Sequence, residues 1–190
     1  MEAKKLKTVD DLMQLTDDRI ELINGEIRKR PMARSDHALI QSGLSDEVSP
    51  FKRRSGTGGW WIMTEVSVRY SEYNCPVHDL AGWRKVRLPQ RPSGMMTQSP
   101  DWVCEITSPG HERKDMFSTF MLLQRQQIPY YWVISPEDQT LIAYKLAGEH
   151  YNVVYSVECG RESSLSKVFV PPFADVGIDL GYVFGLGDGD

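Results

Sequence analysis

Trp102-Val103-Cys104-Glu105-Ile106-Thr107 is an apolar run of strand length with a single carboxylate at its centre. Ser108-Pro109-Gly110 ends it, since proline and glycine side by side interrupt both ladders and helices. The stretch reads as a buried strand and sets how its neighbours are taken. Upstream, Val77 to Trp83 is a second strand of the same kind, with Asp79 inside it. Before that, Trp60 to Arg69 is rich in the aromatic and β-branched residues that suit a pleated surface. Downstream, a helix from Glu112 to Gln126 is expected to carry Met116, Phe117, Phe120, Met121 and Leu123 toward the core. Tyr130 to Ile134 and Leu141 to Tyr144 read as a hairpin around Pro136-Glu137-Asp138-Gln139, and Tyr151 to Val157 as an edge strand.

Toward the N-terminus, Asn24-Gly25 separates two alternating runs, a hairpin signal because both turn positions need positive φ. Thr8 to Asp18 reads as a short helix with Val9, Leu12 and Met13 on one side. Ser35 or Asp36 is the expected cap of a longer helix, in which Ile40, Leu44, Val48 and Phe51 make one apolar stripe. Gly56-Thr57-Gly58-Gly59 lacks the Gly-Lys-Ser/Thr ending of a phosphate loop and precedes a strand, so it is a turn. Arg84 to Ser99, with Pro89, Pro92 and Gly94, is a long loop and is expected to be mobile. The order of elements predicts an α/β or α+β fold: a central mixed β-sheet flanked by helices, with extra N-terminal and C-terminal strands.

The chain has 190 residues, 41% of them apolar and 25% charged, and a formal net charge of -4. These values suit one globular domain over residues 1–190, with flexible ends expected at 1–7 and 183–190. No stretch approaches the roughly 20 apolar residues of a membrane span, and Met1 to Leu6 offers no leader core. Cys75, Cys104 and Cys159 form no Cys-x-x-Cys pair, which suits reduced thiols and a cytoplasmic location. A pI of about 5.6 excludes a surface that is basic all over. Phosphate contacts would therefore use local clusters: Arg28-Lys29-Arg30, Lys52-Arg53-Arg54, or Arg84-Lys85 with Arg87 and Arg91. A solvated face is the usual explanation of such clusters.

The acidic residues are more informative. A carboxylate inside a buried strand is costly unless it is paired, protonated or bound to a metal. If the strands of Asp79 and Glu105 are neighbours, the two can converge on one cation, and Glu65 in a third strand can join them. Hard oxygen ligands of this kind suit Mg²⁺ or Mn²⁺. A pair of structural carboxylates bonded to backbone amides satisfies the same pattern. His37, His78 and His111 show no zinc spacing.

Five segments occur in one order: Glu21 to Glu26, Gly59 to Ile62, His78 to Arg84, Pro100 to Pro109 and Pro129 to Ile134. Together they resemble the Uma-type family of restriction-endonuclease-like proteins, over residues 9 to 182. The resemblance implies the PD-(D/E)xK nuclease fold, with a four-stranded mixed sheet between helices, and Mg²⁺- or Mn²⁺-dependent cleavage of DNA. It implies Asp79, Glu105 and Ile106 as the metal-holding set. Glu65 matches an accompanying glutamate, and His37 a histidine of the first core helix. Arg84, Lys85, Arg87 and Arg91 are the expected nucleic-acid contacts, and Trp83 and Tyr130, if exposed, are compatible with a homodimer, although core burial explains them equally well.

The chain departs from the pattern where the family carries a lysine. Thr107 stands two residues after Glu105, and Thr119 stands at the alternative lysine position on the following helix. His78 replaces the usual proline before the aspartate. The alternative reading is thus a catalytically weakened relative that binds metal or nucleic acid, or serves as an assembly module.

Overall fold

Near-continuous apolar runs build the centre of a six-stranded sheet, buried on both faces there, while its last strand is mostly exposed. The structure, a computed structural model, describes residues 5–17, 19–32, 34–107, 112–160 and 167–186. The sheet runs in chain order: β3 (Trp60–Ser67), β4 (Val77–Arg84), β5 (Trp102–Ile106), β6 (Tyr130–Ser135), β7 (Thr140–Ala147) and β8 (His150–Glu158). Every pairing is antiparallel except β5 with β6. A parallel pair needs a crossover, and α4 (Glu112–Arg125) lies in that connection. The sheet has two strands more than the four-stranded core implied by the resemblance. A separate hairpin, β1 (Ile20–Ile23) and β2 (Glu26–Lys29), turns at Asn24-Gly25 with φ of 51° and 72°.

Helix α2 (Ser35–Glu47) and the short α3 (Ser49–Arg53) present Ile40, Leu44, Val48 and Phe51 to one sheet face, as the stripe requires. The N-cap is Arg34, with no side-chain bond, so neither Ser35 nor Asp36 caps this helix. Phe173 completes that core, its ring 4.7 to 5.7 Å from those of Phe51, Trp60, Trp102 and Trp132. The opposite face buries Trp83, Val103, Tyr131 and Val133 against Leu123 of α4. Phe117 and Met121 are exposed there, contrary to the sequence reading, while Leu122 and Leu123 are buried. Phe117 and Met121 are one turn apart, so both fall on the same outward stripe.

The first helix is confined to α1 (Val9–Met13), begun by a capping box between Thr8 and Asp11. At the other end, α5 (Leu180–Phe184) buries Leu180 and Val183, so the ordered core extends into the segment expected to be flexible. Residues 187–190, His111 and the Ser108-Pro109-Gly110 break lie outside the described residues. Among the described residues no helix is long and apolar enough to cross a membrane.

Candidate metal centre

Register brings the strand carboxylates level. The pair Leu80–Cys104 puts Asp79 opposite Glu105, and Glu65 falls between the pairs Thr64–Leu80 and Val66–His78, opposite Asp79. The ladder of β4 and β5 runs only from Gly82–Trp102 to Leu80–Cys104. Beyond it the Asp79 side chain takes over, and Oδ2 accepts the Ile106 N–H at 2.8 Å. This bond gives a nearly buried carboxylate a fixed orientation.

Helix α2 faces this fork with His37 and Gln41, one turn apart. His37 Nε2 lies 3.3 Å from Asp79 Oδ1. Gln41 Nε2 donates to Glu65 Oε1 at 2.9 Å and to the Asp79 carbonyl at 2.8 Å. Arg30, the first residue after β2, donates to Glu65 Oε2 and, at 3.1 Å, to Asp79 Oδ1. The hydrogen bond to Asp79 raises the His37 pKa above its ordinary value. Glu65 has φ +48°, a left-handed conformation that side chains adopt at a cost.

His37, Glu65 and Asp79 each offer a ligand atom within 4.8 Å of the others. Glu105 is not part of this group, because its Oε1 turns toward His78 Nδ1, 2.5 Å away. Ile106 contributes its N–H to Asp79. All these residues except His78 border one cavity of about 290 Å³, which Thr107, Thr119 and Tyr131 also line. Three buried polar atoms on that wall, His37 Nδ1, Thr107 Oγ1 and Tyr131 Oη, have no protein partner. The mixed oxygen and imidazole donors suit a divalent cation.

The basic loop lies elsewhere. Arg84 is five residues along β4 from Asp79, roughly 17 Å at strand spacing. Lys85 Nζ donates to the Lys52 and Arg54 carbonyls, and Arg87 pairs with Asp101. Trp61 and Trp83 donate to the carbonyls of Leu88 and Gln98, so this loop, expected to be mobile, is tied at both ends. Arg91 is exposed. Trp83 is fully buried, so it offers nothing to a dimer surface.

Sequence reasoning missed Arg30, Gln41 and Glu21 as members of the site. The last accepts the Val77 N–H at 3.3 Å and lines the cavity. Arg30 had a signal only as part of a basic cluster, and Gln41 only as the residue one turn after His37.

The Uma2 family model, described as a putative restriction endonuclease, matches residues 9–174. Among solved structures the chain is similar to a putative nuclease belonging to DUF820 from Anabaena variabilis ATCC 29413, with a TM-score of 0.74. The identity is 20%, and the match covers 94% of this chain and 98% of the other. At that identity the likeness shows the fold. No curated protein matches the chain at a significant level.

Proposed function

The chain belongs to the Uma2 family of restriction-endonuclease description, and from that premise we propose that it is a divalent-metal-dependent endonuclease that hydrolyses DNA phosphodiester bonds. The observation that carries this reading is the convergence of His37, Glu65 and Asp79 beside a cavity that Glu105 also lines. These donors would hold Mg²⁺ or Mn²⁺. When bound, such an ion lowers the pKa of a coordinated water and offsets the charge of the pentacoordinate transition state. The chain's own part is positional. The Ile106 N–H fixes the Asp79 carboxylate, Gln41 fixes Glu65, and α2 brings His37 to the same point.

Thr119 favours a second reading, a module that binds metal or nucleic acid without cleaving. Among the described residues the cavity wall carries Arg19 and Arg30 as cations and no lysine. Mn²⁺-dependent nicking of supercoiled plasmid decides between the two. The nuclease reading expects nicking by the natural chain and none by Asp79→Ala. Calorimetric Mn²⁺ binding without nicking would establish the binding module instead.

A further inference from the structure

At Thr119 the cavity has a neutral hydroxyl where the family resemblance implies an ammonium, yet a cation reaches the same cavity from another element. The Arg30 guanidinium lies between Glu65 and Asp79 and bonds to both. Its side chain is 21% exposed and borders the cavity. The backbone holds it there: the Arg30 N–H donates to the Arg19 carbonyl at 2.8 Å, and Pro31 restricts the chain immediately afterwards. Arginine stays charged at any working pH and carries five donors in one plane. Two donors are used on Glu65 and Asp79, and the planar fork matches phosphate oxygens as well as carboxylate oxygens.

These facts define a competition. The two carboxylates that would bind a divalent ion, Glu65 and Asp79, are the ones Arg30 now bonds. Two cations at one pair of carboxylates repel each other, so an arriving ion weakens the hold of Arg30 on those oxygens. The displaced guanidinium is then a mobile positive charge at the edge of the cavity, close to where an incoming phosphate must lie.

We propose that Arg30 has two successive parts. It holds Glu65 and Asp79 together before the metal arrives, and it then donates to a nonbridging oxygen of the bound phosphate, supplying the charge that Thr119 cannot. The second part rests on the nuclease reading, and the first rests on the geometry alone. Because a guanidinium does not release its proton, Arg30 stabilises charge and moves no proton.

The test combines Mn²⁺ calorimetry with plasmid nicking on the full chain and on Arg30→Ala, Arg30→Gln, Asp79→Ala and Arg30→Ala/Thr119→Lys. The expected result is a split: Arg30→Ala and Arg30→Gln bind Mn²⁺ several-fold more tightly than the natural chain but nick about 10²-fold more slowly. The double variant recovers nicking, because lysine restores a cation at the cavity. Arg30→Gln keeps a polar but shorter and uncharged side chain, and tighter Mn²⁺ binding by both single variants requires an intact site, so it excludes misfolding as the cause of slower nicking. Unchanged or weaker Mn²⁺ binding in both overturns the competition. Tighter binding with undiminished nicking overturns the phosphate contact. Nicking absent from every chain that binds Mn²⁺, or retained in Asp79→Ala, overturns the nuclease reading and the phosphate contact with it. The calorimetric comparison still decides the competition in that case.

Discussion

His78 Nδ1 and Glu105 Oε1 lie 2.5 Å apart, joining β4 to β5 beyond their last ladder pair. His78 is fully buried, and its Nε2 meets the Tyr70 hydroxyl at 2.9 Å. Burial pushes the His78 imidazole down to about 4. Burial, and then the nearby Asp79 carboxylate, push Glu105 well above the usual carboxylate range. Both directions describe a neutral pair, in which the Glu105 carboxyl donates to Nδ1 and the Nε2–H donates to the Tyr70 oxygen. The pair turns Glu105 away from the donor group of Asp79, so a histidine where the family resemblance implies proline bears directly on which carboxylates are available to a metal.

His78→Leu is expected to leave the Tyr70 hydroxyl and the Glu105 carboxyl without this partner, at a cost of about 1–3 kcal/mol. The cost should depend on pH. A depressed histidine pKa contributes stability that is present above its unfolded value of 6.5 and is lost as the pH falls through about 4. The raised Glu105 pKa acts in the opposite direction, its contribution being lost as the pH rises, and its largest cause, burial, is common to both chains. The difference in urea unfolding free energy between natural chain and variant should therefore grow from pH 4 to pH 6.5. A flat difference would mean that His78 is already charged in the folded protein.

Glu65 separates backbone strain from side-chain function. Its φ of +48° costs a side-chain-bearing residue about 1–2 kcal/mol, and glycine escapes that cost. Glu65→Ala and Glu65→Gly both lose the carboxylate, so both should weaken Mn²⁺ binding alike. The glycine variant should nonetheless be the more stable of the two by about 1 kcal/mol in urea unfolding. Equal stabilities would show that the backbone relaxes once the side chain is gone.

The strands and the carboxylates were legible in the sequence for the same reason. Asp79 and Glu105 conflict with the apolar runs that contain them, and such conflicts mark sites. That Glu65, Asp79 and Glu105 lie level was not legible, because level depends on the registers of two non-local pairings. Arg30 was hidden in Arg28-Lys29-Arg30, where nothing local separates a site cation from a solvated one. The segment carrying Phe173 escaped for another reason. Val168, Val170, Phe173 and Ile178 are buried, yet they follow neither helical nor strand spacing, and only the isolated bridge Val168–Ile178 gives the segment ladder structure.

Lys85 illustrates a basic residue with a structural task. Its ammonium donates to the Lys52 and Arg54 carbonyls at 2.8 Å each, closing the C-terminal end of α3, and lies 4.6 Å from the Trp61 ring centre. Lys85→Ala is expected to cost about 1.5–3 kcal/mol, the range for hydrogen bonds to a charged group. Gly59→Ala tests the same junction from the other side, since an added Cβ would lie 2.4 Å from the Arg54 carbonyl oxygen. Both variants should lower the thermal midpoint, whereas Arg91→Ala at an exposed position should leave it unchanged. Equal midpoints for Lys85→Ala and the natural chain would return Lys85 to the solvated class.

Thr119→Lys tests whether the missing ammonium limits the rate. Thr119 shares the cavity wall with Glu105 and Thr107, so a lysine stem at this position starts within the cavity and need not cross the core. Unlike Arg30, a lysine can both hold charge and pass a proton, and a positioned acid or base is worth about 10²–10⁴-fold. The natural chain should therefore nick plasmid slowly with Mn²⁺, and Thr119→Lys should raise the rate toward that range. The added positive charge should at the same time weaken Mn²⁺ binding slightly in calorimetry, since both cations face the same carboxylates. Asp79→Ala in the Thr119→Lys background should abolish the gain, which ties it to the metal centre. A lysine variant no faster than the natural chain, with its Mn²⁺ binding intact, would mean that the hydroxyl at this position does not limit cleavage.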